Sequence, residues 1–169
     1  SDVCLPIYFV KQTIRNHCEI LGANGRLKLT VPVEHANRWR TAIKDLRISG
    51  DNSWSRLHLK GIRSAYGKSP YFDYYWDELE SVLLKDHSFL FDLNLELMTL
   101  LMKWLKRPAN WSLTEHFVET FGGTGDTRSA WNKYVGAAEN ELSYYQVFSE
   151  KHGFQGGLST LDLILDRKS

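Results

Sequence analysis

The chain has 169 residues, of which 43% are hydrophobic and 24% charged, and its 21 Lys and Arg against 20 Asp and Glu leave a formal net charge of +1. That size and balance predict a single globular domain spanning residues 1–169, able to bury a core without disulfide or metal staples, and they exclude a disordered or collagen-like chain. A near-neutral surface supplies no global field toward nucleic acid or an anionic membrane, no run approaches the ~20 apolar residues of a membrane span, and Cys4 and Cys18 form neither a metal pair nor a secreted disulfide framework.

From Val3 to Val33 short apolar runs surround LGANGR, where Asn24-Gly25 suits positive φ. A hairpin is expected, with arms Ile14 to Ile20 and Arg26 to Pro32, in which Leu27, Leu29 and Val31 alternate with Arg26, Lys28 and Thr30. Asp45 to Ser49 reads as another short strand. GDNSW then supplies turn residues and an N-cap in Asn52 or Ser53, followed by Trp54, Leu57, Leu59, Ile62 and Tyr66 at near-helical spacing; this helix stops by Ser69, ahead of Pro70. Asp73 to Leu84 is a second helix. Leu90 to Leu105 is a third, with Leu93, Leu97, Leu100, Leu101, Trp104 and Leu105 on one face. Ser112 to Phe121 is a short helix and FGGTGDTRS a loop. Leu142 to Phe148 alternates as a strand entering a turn, and LSTLDLILD is a short helix capped by Ser159, with Asp162 as a weak capping-box partner.

The predicted class is α/β or α+β, with a small mixed sheet from the N-terminal third plus the C-terminal segment, covered by the middle helices. The start, SDVCLPIYFV, has no signal-peptide pattern, and with reduced cysteines this predicts a cytoplasmic protein. There is no Walker A, GxGxxG, HExxH or GxSxG motif, and no motif identifies a cofactor.

Chemistry-bearing residues gather in three places. In an extended segment Lys11, Arg15 and His17 share one face and Gln12, Asn16 and Cys18 the other. Arg15 with Lys11 can clamp a carboxylate or phosphate, whereas the ordinary alternative is the wet face of a strand. Trp54, His58, Ile62 and Tyr66 form one helical stripe that lines a pocket or faces the sheet. The cluster Tyr71, Phe72, Tyr74, Tyr75 and Trp76 is a stacking surface or an aromatic plug between helices. Near the end, Tyr144, Tyr145 and Gln146 precede His152 and Gly153; Gln146 carries both donor and acceptor groups, and His152 in a turn suits a general base.

KQTIRNHC at Lys11 to Cys18 and SYYQVFSEKHGFQGGLSTLD at Ser143 to Asp162 together resemble the signatures of the WbqC-like family, KQ-x-x-RN-x-C near the start and YYQVF, HGF and LSxLDL near the end. The resemblance runs from about Asp2 to Leu165, and it implies a first strand and loop ahead of this region that the present chain lacks. His17 stands where many relatives carry Arg, and Gly156-Gly157 where relatives often carry PN. It further implies a bacterial protein of O-antigen or other surface-polysaccharide biosynthesis, acting as a glycine, aminoacyl or acyl transferase. Under that expectation His152 and His58 are catalytic, and Lys11, Gln12, Arg15, Asn16, Tyr66, Tyr145 and Gln146 bind a small-molecule, glycan or nucleotide-sugar substrate, with no metal. The alternatives are a non-catalytic glycan or nucleotide-sugar binding module, or a subunit of a complex, a homo-oligomer included, whose surplus rings form an interface.

Overall fold

A computed structural model describes residues 15–34, 42–51, 53–109 and 143–165. It shows a mixed α/β architecture in which a two-stranded antiparallel sheet packs with helices. Strands β1 (His17–Gly22) and β2 (Gly25–Thr30) pair from His17↔Thr30 to Gly22↔Gly25. Only Ala23 and Asn24 separate them, and the positive φ falls on Gly25, at 106°. The expected hairpin is present, but Arg15 and Asn16 form a turn ahead of it instead of extending the first arm. Asn16 still fastens the open end: its carbonyl accepts the Val31 amide N–H at 2.8 Å, and its Nδ2 donates to the Val31 carbonyl at 3.2 Å.

An isolated two-stranded hairpin is marginal in water, so this one depends on its cover. On one face Leu27 and Leu29 reach the backbone of Gly61 in helix α1 (Ser53–Tyr66). On the other, the Arg26 guanidinium donates to Gln155 Oε1 at 3.2 Å and to the Gly156 carbonyl at 2.6 Å, drawing the C-terminal segment across the sheet. Ile20 and Leu21, neighbours that point to opposite faces, are therefore both buried.

Helix α1 begins where Asp51 Oδ1 accepts the Ser53 amide N–H, and it ends at Tyr66, four residues before Pro70. Helix α2 (Phe72–Leu84) and helix α3 (Leu90–Trp104) lie within one residue of their sequence-derived bounds. One core joins Ile20, Leu29, Trp54, Ile62, Tyr66, Leu79, Leu93, Leu100, Trp104 and Leu165. Lys103 Nζ and Trp104 Nε1 of α3 both donate to Glu78 of α2, at 2.8 and 3.2 Å, and these bonds hold the Glu78 carboxyl below its ordinary pKa.

Asp45 to Ser49 is not a strand. A 3-10 turn occupies Ile43–Asp45, after which Arg47 and Ile48 make single antiparallel bridges to Phe89 and Val33. The segment is wedged between two neighbours and pairs once with each. Among the described residues the C-terminal segment contributes no strand either. Ser143–Gln146 has no ladder, because Tyr144 and Gln146 are drawn onto Asp162 and Gln155, and a single turn, α4 (Ser149–His152), follows. The closing helix is present as α5 (Thr160–Leu165), with Ser159 Oγ accepting the Leu161 amide N–H at 3.4 Å. The helix expected over Ser112 to Phe121 and the FGGTGDTRS loop lie outside the described residues. No helix among the described residues is long and apolar enough to cross a membrane.

Candidate functional site

A cavity of about 200 Å³ opens between the hairpin, the three long helices and the start of α5. Helices α2 and α3 line it with leucines, Leu79, Leu83, Leu93, Leu97, Leu100 and Leu101, while its polar residues cluster at the open end of the hairpin: Arg15, Asn16, His17, His58 and Asn94. Three side-chain N–H groups build that end by donating to backbone carbonyls. Asn94 Nδ2 holds Arg15 at 3.0 Å, Asn16 Nδ2 holds Val31 at 3.2 Å, and His58 Nε2 holds Thr30 at 3.1 Å. Asn94 thus obtains the partner that an amide at the edge of a buried face requires, and in doing so fixes the Arg-Asn pair against α3.

Two polar atoms at this end stay unsatisfied. Asn16 Oδ1 and His17 Nδ1 are buried and have no hydrogen-bond partner among the described residues, a condition that is rare in folded proteins and costs the desolvation of each group. In addition to His17, His58 stands on the cavity wall with the leucines of α2 and α3. Because its Nε2–H serves Thr30, the lone pair of the neutral ring lies on Nδ1; burial pushes its pKa below the ordinary 6.5, against the opposing effect of the Thr30 carbonyl. Cys18 also borders the cavity; the residue is exposed to solvent, but the protein packed around its thiol pushes the pKa upward in spite of a hydrogen bond with Ser159. That is the reverse of an activated nucleophile.

A second polar centre lies in the C-terminal segment around Asp162, a carboxylate 1% exposed. Its Oδ1 accepts the Tyr66 hydroxyl at 2.7 Å, and its Oδ2 accepts the Tyr144 hydroxyl at 2.9 Å and Gln146 Nε2 at 2.7 Å. The Tyr66 oxygen in turn accepts the Leu21 amide N–H. Gln146, fully buried, also donates to the Gln155 carbonyl and accepts the Gln155 amide N–H, both at 2.9 Å. Its amide is engaged on both ends within the chain.

The residues singled out in the sequence therefore divide between two places. Arg15, Asn16 and His58 meet at the cavity. Tyr66 and Gln146 meet at Asp162, with Tyr145 exposed beside them. His152 is at neither: its Nε2 donates to the Ala23 carbonyl at 3.1 Å, next to Lys151 Nζ at 2.7 Å on the same oxygen. Ala23 is the hairpin turn and Arg15 precedes the opposite end, so roughly 20 Å of strand separates them at ~3.3 Å per residue. Lys11 and Gln12 lie outside the described residues.

A family model described as the WbqC-like protein family matches residues 6–129, well over half of the sequence. The chain belongs to the WbqC-like protein family. No curated protein matches it, and no solved structure does. In this WbqC-like protein the matched range contains Arg15, Asn16, His17, His58, Asn94 and all three long helices, and it ends before the Asp162 centre. The cavity is thus built almost entirely from the family region, with Ser159 and Leu161 added from the C-terminal segment.

Sequence reasoning missed Asp162 as a centre and read it only as a capping partner. The signal was available: helical spacing sets Asp162 on the side of α5 that carries Leu161 and Leu165, so an acid stands in an apolar stripe and must be satisfied internally. The aromatic cluster divides. Phe72 and Trp76 stack at 4.8 Å inside the core, and Tyr75 packs on Trp104, also at 4.8 Å, while Tyr74 is 78% exposed. Phe72, Trp76 and Tyr75 thus form a plug between helices, and Tyr74 is the ring of this cluster that is left most exposed.

Proposed function

We propose that this WbqC-like protein handles an acyl or aminoacyl group in the assembly of bacterial surface polysaccharide, as a transferase acting on a sugar amine or hydroxyl. The observation that carries the reading is the cavity: an apolar pocket with its polar groups confined to one end suits a group with a hydrocarbon body and a carbonyl head. In the reaction the sugar nitrogen or oxygen attacks the carbonyl carbon of a thioester or ester donor. A C–N or C–O bond forms, the bond to the donor's sulfur or oxygen breaks, and the proton lost by the sugar leaves with the thiol or alcohol. His58 Nδ1 is the proposed base, held neutral by its burial. Arg15, with Lys11 and Gln12, holds the donor's carboxylate or phosphate. His152 is kept as a second candidate base, with Tyr145 beside the Asp162 centre as a substrate contact.

Incubation with acyl-thioester and aminoacyl donors plus amino-sugar nucleotides, followed by mass spectrometry, tests this directly. The expected product is an acylated sugar that His58→Ala abolishes and His152→Ala leaves largely intact. Loss with His152→Ala but not His58→Ala would move the base to the other end of the hairpin.

A second reading, a non-catalytic binding subunit, is favoured by one observation: His58 and His152 each spend an N–H on a backbone carbonyl, as structural histidines do. Ligand binding that persists in His58→Ala with no turnover by the unaltered protein supports that reading over the first.

A further inference from the structure

We infer that the cavity selects a short apolar acyl group and excludes both glycyl and long fatty acyl groups, an inference that rests on the acyl-handling reading above. Protein interiors pack as tightly as organic crystals and rarely leave voids much larger than a water. A space of about 200 Å³ inside a leucine wall is therefore a standing loss of contacts that an occupant restores.

The wall decides the chemistry of that occupant. Leu79, Leu83, Leu93, Leu97, Leu100 and Leu101 offer neither donor nor acceptor side-chain groups, so water gains little there and an ammonium such as that of a glycyl group would lose its hydration without replacement. Size sets the upper limit. An apolar cavity of about 150 Å³ accommodates benzene, so one of this volume takes about six to eight carbons, and a fatty acyl tail does not fit.

Orientation follows from the placement of polar groups. Arg15, Asn16, His17 and His58 gather at the hairpin end, where Asn16 Oδ1 and His17 Nδ1 are buried without partners among the described residues. Asn16 Oδ1 can only accept, so a carbonyl or carboxylate head faces the donors of that end, the Arg15 guanidinium and an Nδ1–H of His17, and the hydrocarbon points between α2 and α3.

The test is binding to the whole chain, read without turnover, by titrating benzene, hexanoate, decanoate, glycine and hexylamine while following the leucine methyl signals by NMR. Benzene and hexanoate are expected to shift the Leu97 and Leu101 methyls; decanoate and hexylamine are expected to bind at least tenfold more weakly than hexanoate, and glycine not at all. Leu97→Phe is expected to weaken benzene and hexanoate at least tenfold by filling the space, with Leu101→Phe as the substitute if Leu97→Phe does not fold. Absence of shifts with both benzene and hexanoate, equal affinity for decanoate or hexylamine, or undiminished binding in a folded filled variant overturns the inference. Hexanoate binding without any acyl transfer leaves this assignment standing and removes the transferase reading; transfer by a protein that binds neither probe does the opposite.

Discussion

Asp162 collects three donors from two parts of the chain, two from the 144–146 segment and one from the end of α1. A carboxylate removed from water is tolerated only when its oxygens are fully hydrogen-bonded, and here Tyr66 supplies the one long-range bond. Tyr66→Phe deletes that donor with almost no change in volume and also strips the Leu21 amide of its acceptor. Hydrogen bonds to charged groups are worth ~1.5–3 kcal/mol, so urea denaturation should place Tyr66→Phe about 2 kcal/mol below the parent. A loss under ~0.5 kcal/mol would mean that the centre is satisfied without the tyrosine. His58 gives a prediction in pH. Its folded pKa lies below the ordinary 6.5 because burial disfavours the imidazolium. Above 6.5 neither folded nor unfolded chain binds the proton; as pH falls through 6.5 the unfolded chain binds it first, so stability is lost on the way down to the folded pKa. His58→Gln, whose amide can still donate to the Thr30 carbonyl, should flatten the stability curve below about pH 6.5. An unchanged slope in that variant would assign the pH dependence to another group.

Two glycines, Gly61 inside α1 and Gly67 just past its end, illustrate how element geometry fixes the sign of a substitution. At Gly61 an added Cβ meets Leu27 Cδ2 at 3.0 Å, the far end of a flexible, 40% exposed side chain. Replacing a helix-interior glycine with alanine is worth up to ~1 kcal/mol, and Leu27 can yield by a few tenths of an ångström, so Gly61→Ala should raise the midpoint of thermal unfolding. At Gly67 the added Cβ lies 2.5 Å from the Arg63 carbonyl oxygen, a backbone atom of the helix's last turn. Something must shift, and Gly67→Ala should lower stability by ~1–3 kcal/mol, the usual range for forced overpacking. Opposite signs for the pair support this geometry, and equal signs contradict it. The same elements show what periodicity could reveal. The three long helices and the hairpin were legible because each carries its own repeat, 3.6 or 2, and its own stop signal, Pro70 or Gly25. The Asp45 to Ser49 segment and the Leu142 to Phe148 alternation misled because a strand exists only if a partner edge is available, and that is a property of the assembled fold. The cavity was legible in pieces, as Arg15, Asn16 and the His58 stripe, but not as a cavity, since its leucine wall reads in sequence as ordinary core.

Across the whole molecule the hairpin is held between the helical layer and the segment from 143 to 165, and the fastenings to that segment differ greatly in strength. Arg26 to Gln155 and Gly156, and Lys151 with His152 to Ala23, are exposed bonds, each of the kind that contributes from nothing to ~1 kcal/mol. The Asp162 centre is buried and shared, so removing its charge affects Tyr66, Tyr144 and Gln146 together. Native proteins open in cooperative units below the global transition, and the C-terminal segment has the makings of one. It meets the body through one buried polar centre, a few surface bonds, the Ser159 amide on the Glu19 carbonyl at 2.7 Å and the apolar side of α5, whose Leu161, Ile164 and Leu165 join the core. Hydrogen exchange on Asp162→Asn should therefore show the amides of Gln155, Ser159 and Asp162 losing protection together, by about tenfold per 1.4 kcal/mol of lost coupling, followed by Ile20 and Leu21, which the segment helps to cover. Amides within α2 and α3 should keep theirs. Arg26→Ala, which touches only the surface bonds, should leave all of these rates within about threefold, the equivalent of less than 1 kcal/mol. If Asp162→Asn instead speeds exchange equally in α2, α3 and the C-terminal segment, then the buried centre is part of the global core and the segment does not open as a unit.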